Sequence, residues 1–333
     1  MPKPKIAIYS ATGCSACDHA ILDVHYQVGS LAKWAELTFW PHVKGDGWSD
    51  FDNAEPVDVC FFAGAIRTDE DRQAAVRLRA GSKILVACGA CAAAGGLPGL
   101  INLSPDTGEE TAGPTQTDEA PPLPSTQPRV SGLAGVVAVD YSVPGCPPPL
   151  HLVWAAVQAL VCLGESPNRI SFAASRLPDA VSSAITSGVP VPKGTTFAGE
   201  KAVCSSCSRV KEEKKFSRLY RPHELIPDSG RCLLEQGLVC QGLATMEGCG
   251  GLCTAVGVAC RGCFGKAEAV FDPGAKMVSA ISSTFDTTDA LEAERIAERF
   301  VDLAGTLYRY TVPEQCVLMS APSKEGSDAI HVR

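Results

Sequence analysis

The chain has 333 residues, sixteen of them cysteine, and a net charge of −8. An acidic balance argues against nucleic acid or an anionic membrane as a partner, and no apolar run reaches the roughly eighteen residues of a bilayer span. The length allows one large domain or two around a substantial core.

The opening MPKPKIAIYS enters a strand directly. It has no twin-arginine motif and no apolar stretch ahead of a cleavage site, so a cytoplasmic protein is expected. KIAIYS (5–10) reads as a buried strand, followed by a glycine turn and a helix from about Ala16 to Ala32. ELTFW (36–40) is a second strand, ended by Pro41. The continuous apolar runs VDVCFFAGA (57–65) and KILVACG (83–89) suit strands buried on both faces. Between them, DEDRQAAVRLRAG places acidic residues first, basic residues last and a glycine stop, which predicts a helix. Residues 104–130, rich in Pro, Thr, Glu and Ser, read as a solvated loop or a partner-wrapping strap. VVAVDYSV (136–143) is a fifth strand, and residues 148–164 a helix with proline in its first turn.

Strands alternating with helices predict an α/β fold: a flavodoxin-like, doubly wound parallel sheet over residues 1–165. A linker (166–200), a cysteine-rich domain with little regular structure (201–270) and a C-terminal helical extension (271–333) complete the expected organisation. From residue 285 the extension has an amphipathic helical pattern that stops at a proline.

Twelve cysteines fall into three sets of four. Cys14, Cys17, Cys91 and Cys146 each lie just past the carboxyl end of a predicted strand, the edge where open α/β sheets gather ligands. The other eight crowd between Cys204 and Cys263, as two CxxC pairs (204/207 and 260/263) enclosing Cys232, Cys240, Cys249 and Cys253. Four soft thiolates match the four terminal iron sites of a 4Fe–4S cube. In a reducing compartment, such richness points to metal rather than disulfides. Cys₄ zinc sites use similar pairs, but zinc leaves the quartet at the strand ends unexplained. Cys60 and Cys162 sit in apolar contexts and read as core residues. Cys88 reads as a strand residue that could compete with Cys91, and Cys316 has no partner nearby. The place of a flavodoxin phosphate loop is taken by GCSAC, and no separate flavin or nucleotide motif is present.

Taken in order, GCSAC (13–17), GACAAAGGLPGL (89–100), GCPPP (145–149), CSSC (204–207), CLLEQGLVCQG (232–242) and CRGCFG (260–265) resemble the small subunits of nickel–iron hydrogenases over nearly the whole chain. The eight C-terminal cysteines are most similar to the cytoplasmic, methyl-viologen-reducing branch that passes electrons to heterodisulfide reductase. The resemblance implies three 4Fe–4S clusters: a proximal one on Cys14, Cys17, Cys91 and Cys146, a medial one on Cys249, Cys253, Cys260 and Cys263, and a distal one on Cys204, Cys207, Cys232 and Cys240. Cys204 stands where periplasmic relatives have histidine; an anionic thiolate there lowers the distal potential. Gly13, Gly89, Gly95, Gly96 and Gly145 are expected to let backbone approach the cluster.

The implied role is an electron-transfer subunit of an oxidoreductase, with no bond-breaking residue of its own. Its expected partners are a large subunit carrying the nickel–iron centre and an iron–sulfur or flavin acceptor such as a heterodisulfide reductase assembly. One position departs from the family: the usual glutamate after the second cysteine is Asp18, followed by His19, so any proton relay there needs another water or the histidine. That departure leaves room for a hydrogen-independent conduit paired with a large-subunit paralogue lacking nickel. The other histidines, His25, His42, His151 and His223, read as surface or core residues.

Overall fold

The computed structural model describes residues 3–23, 35–104, 124–161, 181–183, 190–213, 215–287, 289, 291, 294–295, 298–300 and 302–314. Among these residues five strands form one parallel sheet: β1 (Lys5–Ser10), β2 (Glu36–Phe39), β3 (Val57–Ala63), β5 (Ser82–Cys88) and β7 (Tyr141–Val143), in the order β2-β1-β3-β5-β7. Counting only these five, the order is the 2-1-3-4-5 of flavodoxin-like sheets. A separate antiparallel pair joins β4 (Ile66–Thr68) to β6 (Thr126–Ser131). The expected α/β architecture is therefore observed.

The register brings Ser10, Ala63, Cys88 and Val143 level at the carboxyl edge. β3 lies between β1 and β5, and six of its seven residues are buried, as its continuous apolar sequence requires. The helices are α1 (Ala16–Leu22), the short α2 (Pro41–Lys44) and α3 (Trp48–Asp52), α4 (Asp69–Gly81), α5 (Gly89–Ala94), α6 (Leu150–Leu160), α7 (Leu252–Ala255), α8 (Pro273–Thr284) and α9 (Leu303–Leu307). α6 is apolar all round, so it is buried along nearly its whole length and packs into the core with Ile8, Val86 and Val143.

Several expectations change. The 136–143 strand shrinks to Tyr141–Val143, because Asp140 turns its carboxylate onto the Leu85 N–H at 2.9 Å and binds Arg79 and Lys193. The far end of the 104–130 loop is not loop but β6, an edge strand carrying Pro128, where a missing N–H costs no ladder bond. From residue 285 on, the described residues are helical at Leu291, Glu294 and Arg295 and again in α9, which starts where Asp302 accepts the Gly305 N–H at 2.7 Å, so the extension is not one continuous helix. Phe285 instead packs edge-on against Phe216. Beyond Asp23 the helix predicted to Ala32 lies outside the described residues up to residue 34, as do His25, Cys162 and Cys316.

The described residues between 201 and 270 hold few regular elements: three short 3₁₀ turns, α7 and isolated bridges such as Ala202 to Met246 and Thr245 to Lys266. With α8 and α9 they close around a second core built on Leu233, Met277 and Leu307. Cys249 packs against both cores.

Candidate iron–sulfur sites

The loop after β1 is fixed by one buried carboxylate. Asp71, in the first turn of α4, accepts the Thr12 N–H at 3.1 Å, the Thr12 hydroxyl at 2.7 Å and the Thr68 N–H at 2.9 Å. The Thr68 hydroxyl in turn accepts the Asp71 N–H, which caps α4. GCSAC is thus pinned at Thr12, and Cys17 enters the first turn of α1. Cys91 sits in α5, directly after β5, and Cys146 in the loop after β7. Cys14, Cys17, Cys91 and Cys146 line a single small cavity walled by Ala11, Ala63, Gly64 and Ala90.

Two glycines make that cavity possible. Gly89 has φ +90°, and a Cβ there would lie 2.4 Å from Cys17 Sγ. Gly96 has φ +53°, and its Cβ would lie 2.7 Å from Cys91 Sγ. The other three act differently: Gly95 lies against Pro313, Gly145 folds onto Pro148, and Gly13 has room to spare.

The C-terminal eight cysteines separate into two sets. Cys249, Cys253, Cys260 and Cys263 line one cavity, which also takes in Cys146 and Tyr310. Cys240, Cys232 and Cys207 are the sulfurs that bear on the Cys204 thiol and raise it, and Gly242 lies close to both Cys204 Sγ and Cys240 Sγ. Cys207 Sγ is 3.2 Å from the buried Thr254 Oγ1.

The three quartets touch in a row. Cys146 lines the cavity of the second set together with Cys263, joining the first set to the second. The Cys260 N–H donates to Cys240 Sγ at 3.3 Å, joining the second to the third. Further N–H groups of Leu97, Gly262 and Gly242 point at Cys91, Cys260 and Cys240 sulfurs.

Burial, reinforced by neighbouring sulfurs, pushes the thiols up: Cys91 to about 11, Cys204 and Cys263 to about 12, and Cys17 and Cys260 higher still. Four thiolates gathered in such a place need a compensating cationic core. Among the described residues no three His, Cys, Asp or Glu side chains close on a point suited to a single ion, whereas a Cys₄ zinc site puts every sulfur at about 2.3 Å from one centre. Each quartet instead offers four thiols, N–H donors aimed at sulfur and small or apolar walls. That donor set fits an iron–sulfur cube.

The other described cysteines and histidines also have places. Cys88 is fully buried at the end of β5, outside the first cavity, with its thiol pushed up to about 12 by burial and then by Asp18. Cys60 is equally buried in β3. Asp18 is buried and accepts from Ser10 Oγ at 2.9 Å and Trp40 Nε1 at 3.2 Å. The histidine beside it is His42, with Nδ1 at 2.8 Å, whereas His19 is exposed. His151 Nε2 lies 2.9 Å from the Gly248 carbonyl, and His223 is exposed. Three neighbours escaped the sequence reading: His42, Thr254 and Tyr310. None has a spacing that sets it apart from an ordinary surface or core residue.

Among the described residues no helix is long and apolar enough to cross a membrane. Residues 14–160 match the family model described as NADH ubiquinone oxidoreductase, 20 Kd subunit. Over 97% of its length the chain is 32% identical to a subunit of the F420-non-reducing hydrogenase of Methanothermobacter thermautotrophicus, of which it covers 99%. It is 30% identical, over 93% of this chain and 96% of the relative, to the iron-sulfur subunit of the F420-non-reducing hydrogenase of Archaeoglobus profundus. In fold it is similar to a chain of the NiFeSe hydrogenase of Desulfovibrio vulgaris Hildenborough (TM-score 0.50, 17% identity, 86% of this chain and 99% of that one). With near-complete mutual coverage above 30% identity, this chain belongs to the family of these F420-non-reducing hydrogenase subunits, small-subunit-type proteins of nickel–iron hydrogenases.

Proposed function

We propose that the chain is the electron-transfer small subunit of a cytoplasmic nickel–iron hydrogenase complex, relaying electrons from a large-subunit active site to a redox partner. Cys14, Cys17, Cys91 and Cys146 hold a proximal 4Fe–4S cluster, Cys249, Cys253, Cys260 and Cys263 a medial one, and Cys204, Cys207, Cys232 and Cys240 a distal one. Bound clusters supply one-electron storage and transfer; the protein spaces them and adjusts their potentials. The observation that carries this reading is the row of three quartets, joined where Cys146 enters the second set's cavity and where the Cys260 N–H meets Cys240 Sγ.

The nickel–iron centre belongs to the partner large subunit, and the acceptor is an iron–sulfur or flavin protein of the heterodisulfide reductase kind. Asp18 and His42, 2.8 Å apart, form the pair able to hold and pass a proton beside the proximal site, in place of the glutamate that family members use.

The test is metal analysis of the complex purified anaerobically with its natural partners. About twelve irons in this chain, with nickel in the partner, is the expected result. The same iron without nickel makes the chain a hydrogen-independent conduit. Zinc in place of iron overturns both readings.

A further inference from the structure

Tyr310 is 9% exposed and shares one cavity with Cys146 and all four cysteines of the medial quartet. Within that cavity its hydroxyl lies beside the Cys146 sulfur, with Cys263 as its other sulfur neighbour. The ring therefore sits where the first quartet meets the second.

Four anchors set it there. Asp302 caps α9 through the Gly305 N–H. Gln241, which follows Cys240, donates to the Thr306 carbonyl. The Tyr308 hydroxyl donates to Asp272 Oδ1 at 2.8 Å. Pro313 fills the space over Gly95 and Gly99, where any Cβ would lie within 2.4 Å of it. So many restraints within a dozen residues fix the phenol's position independently of the sulfur it meets.

We propose that Tyr310 is a positioning residue for Cys146, its O–H donating to that sulfur so as to raise the reduction potential of the proximal cluster above what its four thiolates alone would give. This rests on the reading of the twelve cysteines as cluster ligands. The physical reason is charge: reduction adds an electron to an already anionic thiolate–iron unit, and a donor on the ligand sulfur stabilises the more negative state more strongly. A phenol ordinarily ionises near pH 10, so at neutral pH the hydroxyl carries a proton to donate. The backbone N–H groups of Leu97 and Gly242 reach Cys91 and Cys240 in other quartet positions, but Cys146 draws its donor from a side chain. A side-chain donor can be removed without touching the backbone.

The experiment is a redox titration followed by electron paramagnetic resonance on the complete, anaerobically purified complex, comparing wild type with Tyr310→Phe. The variant is expected to keep its iron. Its proximal signal should be harder to reduce by about tenfold in the equilibrium constant, which is about 59 mV for a one-electron couple, with the medial and distal signals unmoved. An unchanged proximal potential, or an equal shift of all three signals, overturns the proposal. If Tyr310→Phe loses iron, 3-fluorotyrosine at position 310 tests the same bond. Its more acidic O–H should move the potential upward, and no movement overturns the proposal. Fewer than three clusters in the wild-type complex would instead refute the functional reading on which the proposal stands.

Discussion

The Cys260 N–H donates to Cys240 Sγ at 3.3 Å, so a residue of the second cysteine set steadies a sulfur of the third. Cys260 is itself buried, and its own sulfur accepts from the Gly262 N–H. The two sites share a wall, whereas the buried thiols Cys60 and Cys88 belong to strands of the sheet.

Iron content should separate the two kinds. Cys240→Ala is expected to lose about four of about twelve irons, one cube. Cys88→Ala, in a fully buried residue outside the first cavity, should keep all of them and lose only packing, about 1 kcal/mol as for small cavities. Colorimetric iron analysis on anaerobic preparations reads both. Loss of iron from Cys88→Ala would make that thiol a ligand in place of Cys91.

Gly89→Ala is expected to displace Cys17. The left-handed φ of +90° costs about 1–2 kcal/mol for a residue with a side chain, and the new Cβ would collide with the sulfur. The proximal resonance should broaden or vanish while the other two persist. Gly13→Ala, with no atom nearer than 3.6 Å to its Cβ, should leave all three intact.

For the buried Asp18 the measurement is turnover. Removing a positioned proton carrier typically costs about 10²-fold or more. Asp18→Asn and His42→Gln should therefore slow hydrogen oxidation by the assembled complex by that order, with iron content and cluster potentials held. His19→Gln, on an exposed residue, should be neutral. Equal rates in all three variants would remove Asp18 and His42 from the proton path.

Asp140 supplies a pH dependence. Burial raises its carboxyl, but Lys193, Arg79 and the Leu85 N–H overcome this and hold it at about 2, against an ordinary 3.8. The folded value lies below the unfolded one, so the stabilisation is present above about pH 4 and disappears as pH falls towards 2. Asp140→Asn should lower stability by about 1–3 kcal/mol at pH 7. The gap from wild type should close across that acid window, as read by urea unfolding of the chain at a series of pH values.

Much of the sheet was legible because β3 and β5 are hydrophobic on both faces, and α4 carries its own cap in Thr68 and Asp71. The four strand-end cysteines were legible because the order of a doubly wound sheet brings its carboxyl ends to one edge. What escaped depends on contacts between distant residues. VVAVDYSV has strand composition throughout, yet Asp140 spends its carboxylate on Leu85 and leaves only three residues to pair. β6 hides in a polar, proline-bearing stretch, because the one strand it pairs with among the described residues is β4. His42 reaches Asp18 across 24 positions, and Tyr310 reaches Cys146 from the far end of the described chain. No local pattern encodes either meeting.

The position of Pro313 over Gly95 and Gly99 also orders events in time. Ribosomes make the GCSAC loop early and Pro313 late. While the chain is being synthesised, nothing can cover those glycines or bring a phenol to Cys146. The surroundings of Cys91 and Cys146 are thus completed only once residues 310–313 have been made.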